Sequence, residues 1–201
     1  MAVTQRVLSC NNQKAKAILQ GTLHTAADTD RIVTTTNMKV GAYDIAAHPY
    51  CPSFITVTTT ASGTADTQGT ITVTGTDIFG ITRTDTIIPV AGSTVSGTIY
   101  FKTVTTVVGA GWVIDVGAGN DTIVVGVPAS GEIYTRGLPL TLGIITGNVW
   151  INPSTTAVAD TTSIPLIAGD LVENLVVPAS GKLSIISDSS GGSFYAIVWD
   201  V

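Results

Sequence analysis

With 201 residues, 44% of them hydrophobic and 11% charged, the chain can bury one large core or two small ones and is too apolar to remain disordered. A formal net charge of −5 with only nine Lys plus Arg has the wrong sign for a surface that must neutralise a run of phosphates, so no direct nucleic-acid contact is expected. Apolar runs such as Ile123 to Pro128 are of strand length, and three Trp, five Tyr and four Phe do not supply the aromatic girdles of a strand-built barrel, so no membrane contact is expected either.

Threonine, valine and isoleucine make up about 38% of the chain, and β-branched side chains fit a pleated surface better than a helix. Glycines and prolines are spread between the apolar runs, which predicts many short strands: an all-β protein of antiparallel β-sandwich or jelly-roll-like domains. Residues 1–52 read as an irregular N-terminal arm, mixing Asn11, Asn12, Gln13 and Asn37 with short apolar runs; Lys14 to Leu19 fits a helical turn or an edge strand equally well. Pro49 and Pro52 mark its end. A β-sandwich is expected over 53–125 and a second, smaller β domain over 126–201.

Within the first domain, Phe54 to Thr58 alternates, Ala61-Ser62-Gly63 breaks the pattern, and Thr70 to Thr76 alternates again with Ile71 and Val73 on one face. Asp77-Ile78-Phe79-Gly80 supplies a turn, with Gly80 suited to positive φ. The return strand runs from Ile81 to Ile88. Further apolar runs cover Thr98 to Val108 and Trp112 to Val116, the last ending at Gly117-Ala118-Gly119-Asn120-Asp121. In the second domain the pentapeptide Val-Pro-Ala-Ser-Gly occurs at 127–131 and again at 177–181; diverging flanks make it a shared turn and not a repeat array. Phe194 to Val201 alternates as a final strand.

No constellation for catalysis emerges. His24 and His48 are the only imidazoles, and neither has a second His or Cys at a ligand spacing. The carboxylates stand almost singly, with Asp28 and Asp30, and Asp170 and Glu173, as the closest clusters, so no pair is nominated for glycoside cleavage. The glycine-rich stretches lack the Lys-Ser/Thr ending of a phosphate loop, and Gly119-Asn120-Asp121 lacks the alternating acids of a calcium loop. No enzyme, metal or cofactor is expected. Cys10 and Cys51 are not spaced as a metal clasp and are expected as free thiols. Trp112, Trp150 and Trp199 sit in alternating runs, as core or subunit-interface anchors do.

The hairpin Ile71-Thr72-Val73-Thr74-Gly75-Thr76-Asp77-Ile78-Phe79-Gly80, its return strand, and Gly97-Thr98-Ile99-Tyr100-Phe101-Lys102-Thr103-Val104-Thr105-Thr106-Val107 resemble a module of virion structural proteins of tailed bacteriophages. Trp112 to Gly117 is similar to the short strand that follows there. Asp85 stands where that module often has Glu. The stretch from Pro165 through Leu183-Ser184-Ile185-Ile186-Ser187 to the terminal strand is similar to small β-sandwich units in proteins of the same kind, whereas residues 1–50 carry no resemblance.

The resemblance implies a non-enzymatic particle component made in a host cytoplasm, homo-oligomeric and bound to the major capsid protein or other virion proteins. A capsid decoration or cement protein that stabilises the head shell comes first. A head-to-tail adaptor, neck, tail or fibre-base subunit is the alternative, and an extracellular carbohydrate-binding module is a third. Contacts are expected from the basic and aromatic residues of the arm, Arg6, Lys14, Lys16, Arg31, Tyr43 and Tyr50. Deleting residues 1–30 is expected to abolish particle binding and leave the β-domain folded.

Overall fold

The computed structural model describes residues 14–24, 26–60, 66–114, 119–154, 156–177, 182–188 and 191–200. The described residues form no helix. In chain order the strands are β1 (Lys14–Leu23), β2 (Asp28–Asn37), β3 (Gly41–Tyr43), β4 (Thr56–Thr60), β5 (Thr70–Thr76), β6 (Thr82–Ile87), β7 (Thr94–Ser96) and β8 (Thr103–Ala110). They continue with β9 (Thr122–Val127), β10 (Gly131–Ile133), β11 (Pro139–Thr146), β12 (Val149–Asn152), β13 (Ile164–Leu166), β14 (Leu171–Val176), β15 (Leu183–Ser187) and β16 (Gly192–Asp200). The all-β expectation from β-branched composition therefore holds.

The strands make four antiparallel sheets of four, ordered β2-β9-β4-β7, β3-β8-β5-β6, β1-β16-β11-β14 and β10-β15-β12-β13. The first two enclose one core, in which Ile55, Val57, Val73, Phe101, Val104, Val107, Ile123 and Val125 are fully buried. The other two enclose a second core around Leu19, Leu23, Leu140, Leu142, Val149, Leu183, Ile185, Phe194 and Val198. Each is a sandwich whose strands alternate inward and outward residues, as β16 does from Gly192 to Val198.

The chain does not fill these sandwiches in order. Strand β1 pairs with β16 from Lys14↔Asp200 to Leu23↔Gly192, at one edge of the second sandwich, while β2 pairs with β9 in the first. The chain thus begins its described course in the second sandwich, crosses at 24–27, builds the first through β9, and crosses back at 128–130.

The described part of the expected arm is consequently much more regular than its sequence suggested. Ala17, Leu19 and Leu23 alternate inward along β1, and Gly21 continues that row because the Phe194 ring occupies the space a Cβ would need. Removing residues 1–30 would strip this row from the second core, so the expectation that the deletion leaves the β-domain folded does not extend to the second sandwich. Arg6, Cys10 and the rest of residues 1–13 lie outside the described residues, as do Ala61-Ser62-Gly63, Asp115 to Ala118 and the Pro178 to Gly181 copy of the pentapeptide.

Candidate functional site

Two features stand out, and both grow from the β5–β6 hairpin. The first is its outer face. Alternation sends Ile71, Val73 and Gly75 inward on β5 and Asp85 and Ile87 inward on β6, leaving the threonines outside. Register aligns them into three rows across β6, β5 and β8: Thr82–Thr76–Thr103, Thr84–Thr74–Thr106 and Thr86–Thr72–Val108. Eight of these nine positions are threonine and none is charged. Some hydroxyls satisfy one another, with Thr76 and Thr103 Oγ1 2.6 Å apart, and at the bulge Thr105 Oγ1 donates to the Thr74 carbonyl at 3.1 Å.

The second feature is the hairpin's tip. Asp77 Oδ1 accepts from the backbone N–H groups of Phe79 and Ile81, at 2.9 and 3.0 Å, and Gly80 takes φ +76° to close the turn. A hairpin tip ordinarily faces water. Here Ile78 is only 7% exposed and belongs to the core of the second sandwich, with Phe79 packed against it. The tip is a plug that joins the two sandwiches.

Beside the plug lies a pocket of about 360 Å³, floored by Ile78, Phe79, Ile99, Tyr100 and Tyr134. The Tyr100 ring stacks on Phe54 with centroids 4.1 Å apart, and its plane lies within 16° of Tyr134 at 6.4 Å. On one wall Asp77 Oδ2 accepts from Arg83 at 3.0 Å and from Arg136 at 2.9 Å, so a single carboxylate faces two guanidiniums. Arg136 also lies over the Phe79 ring, 4.6 Å from its centroid, and holds a left-handed backbone at φ +57°, uncommon for a residue with a Cβ.

The other wall carries Glu132, 2% exposed. Its Oε1 accepts from Lys182 Nζ at 3.1 Å and from Ser184 Oγ at 3.2 Å, whereas Oε2 is buried without a hydrogen-bond partner. Burial pushes the Glu132 carboxyl above its ordinary range despite the opposing pull of Lys182. Burial likewise raises the Tyr100 phenol, and it pushes the neighbouring Cys51 thiol up to about 12, leaving it protonated and unreactive at neutral pH.

The residues expected to make partner contacts are scattered. Lys14 is exposed on β1, and Lys16 forms an exposed ion pair with Asp200 at 3.1 Å. Arg31 and Tyr50 meet in a separate cluster: the Arg31 guanidinium lies 3.8 Å from the Tyr50 ring centroid and Nε donates to the His48 carbonyl. Tyr50 Oη donates to Asp28 at 2.8 Å and its ring packs on His24. Tyr43 is buried in the first core, its hydroxyl bonded to the backbone of Lys39. The cluster around Tyr50 braces the crossover at 24–27, and Tyr43 braces the turn into β3.

The histidines take structural places: His24 stacks on Tyr50, and His48 Nδ1 accepts from the Val104 N–H at 3.4 Å. Among the described residues no group of three or more His, Cys, Asp or Glu is placed to hold a metal ion. Trp112 packs against the first core, and Trp199 Nε1 donates to Thr141 at 2.9 Å. The seam pocket was not anticipated, because Asp77, Tyr100 and the segment from Glu132 to Arg136 are far apart in the chain. Its one local signal was an apolar pair, Ile78-Phe79, at a turn. No protein family matches the chain, nor does any curated protein or solved structure.

Proposed function

We propose that this chain is a non-enzymatic structural component of a bacteriophage virion, and specifically a decoration protein that binds the outside of the head shell and stabilises it. The threonine array on β6, β5 and β8 carries the reading, because it lies on the hairpin that resembles phage virion modules. A sheet face of short hydroxylated side chains, without charge over nine positions, can be covered by a partner without desolvating ions. Affinity for a shell would come from many modest contacts repeated over its lattice.

The test combines sedimentation of the purified protein with mixing against undecorated capsids. A monomer to trimer that coats shells supports decoration. A ring of six or twelve that ignores shells moves the protein to the neck or tail. Thr84→Glu, at an exposed position of the array, should weaken coating at least tenfold with an unchanged thermal melt. Coating that survives this substitution overturns the assignment of the array.

A further inference from the structure

From the seam pocket we infer a binding site for one uncharged sugar ring, a pyranose residue of a glycan; the inference stands apart from the virion reading above. Charge balance sets the class of ligand. The lining holds two carboxylates, Asp77 and Glu132, against two guanidiniums, Arg83 and Arg136. Behind it, Lys182 is paired with Glu132, and the buried Asp85 carboxylate accepts from the N–H groups of Thr98 and Ile99 at 2.6 and 3.0 Å, which adds one charge of each sign. An anion or a cation therefore finds no surplus to offset the cost of its own desolvation. A wholly apolar occupant would cover these polar groups and return no hydrogen bond.

The carboxylates of the lining are already engaged. Asp77 Oδ1 accepts from two backbone N–H groups and Oδ2 from Arg83 and Arg136, while Glu132 gives Oε1 to Lys182 and Ser184 and keeps Oε2 buried. Donors are what the wall has left. Arg136 commits one terminal nitrogen to Asp77, its side chain is 37% exposed, and its guanidinium is held over the Phe79 ring, so its remaining N–H groups stay in a fixed place. They suit neutral acceptors, such as the hydroxyls and ring oxygen of a sugar. The left-handed backbone at Arg136 is an outlier of the kind that clusters at ligand clamps. The floor supplies the other half of the recognition. Tyr100 and Tyr134 line it with their planes within 16° of each other, and Phe54, which does not line the pocket, stacks on Tyr100 and fixes that ring. The electron-rich face of such a ring attracts the polarised C–H bonds on one side of a pyranose. A volume of about 360 Å³ lies at the small end of ligand sites and has room for one ring, not for an oligosaccharide.

The probes are the methyl β-glycosides of glucose, galactose and N-acetylglucosamine, titrated into isotopically labelled full-length protein and followed by amide chemical shifts. Glucuronate, glucosamine and cyclohexylmethanol serve as the acidic, basic and apolar counterparts. Support comes from saturable shifts confined to residues 77–83, 98–100 and 132–136, with one neutral glycoside binding at about 1–10 mM and at least fivefold tighter than all three counterparts. Tyr134→Leu, which keeps apolar bulk and removes the ring, should weaken that binding at least fivefold, whereas Tyr134→Phe should retain it. No saturable shift with any neutral glycoside, or a counterpart that binds as tightly as the best of them, overturns the inference on wild-type protein alone. Undiminished binding to Tyr134→Leu protein overturns the aromatic floor as the seat of the sugar. Capsid coating enters none of these arms, so this inference and the virion reading can fail separately.

Discussion

Glu132 and Lys182 show how a single pair can tie stability to pH. Glu132 is buried, and its carboxyl titrates above its ordinary value of 4.5; the folded state therefore holds this proton more tightly than the unfolded chain, and its contribution weakens as pH rises through that raised value. Lys182 offsets part of the cost of ionisation. Lys182→Met should thus destabilise the protein by about 3 kcal/mol at pH 7, where a charged carboxylate is left unpaired, and by only about 1 kcal/mol near pH 4, where it is protonated. Urea melts at the two pH values check this, and an equal loss at both would contradict it. Little of this pairing could be read from the sequence, where Glu132 and Lys182 stand fifty residues apart. Glu132 pairs with Ser184 across β10 and β15, and Lys182 immediately precedes β15, so only that register brings them together.

Among the elements, β1 illustrates what periodicity can and cannot reveal. Strands β4, β5, β6 and β8 announce themselves as runs in which Thr recurs at alternate positions, β7 does not, and the turn at Gly80 follows the expected positive φ. In β1 the inward row is Ala17, Leu19, Gly21 and Leu23, and two of these four are small. The size of Gly21 is dictated by the facing Phe194 ring, a partner near the opposite end of the chain, so the alternation is muted locally. Deletion of residues 1–23 should expose the β16 edge and collapse the second sandwich while sparing the first; loss of protection from hydrogen exchange in β11 and β16, with β5 and β8 still protected, is the expected pattern. Uniform protection after deletion would show that β1 is dispensable. The edge strand β14 leaves Leu171 and Val176 exposed and is bent at Asn174, φ +54°, where its register with β11 shifts, a bulge that discourages strand addition.

For the whole molecule, the seam decides whether two sandwiches behave as one. Besides the two chain crossings, the plug at Ile78 and the Asp77 contact with Arg136 tie the hairpin tip to the second sandwich. Asp77→Ala removes the acceptor for two backbone N–H groups as well as the link to Arg136, and should cost about 1–2 kcal/mol and split a single unfolding transition into two. A retained single transition would place the coupling elsewhere. The pairing of β1 with β16 also sets a clock for biosynthesis. Lys16 and Asp200, which end up bonded, are 184 positions apart, and a ribosome adding about 5–20 residues per second needs roughly 10–40 s to make that interval. The first sandwich, complete at Val127, has time to fold as it emerges. The strand made before it must wait unpaired, with Ala17, Leu19 and Leu23 bare, until the last strand arrives, and on a crowded polysome those seconds are when a nascent neighbour's β16 could capture it.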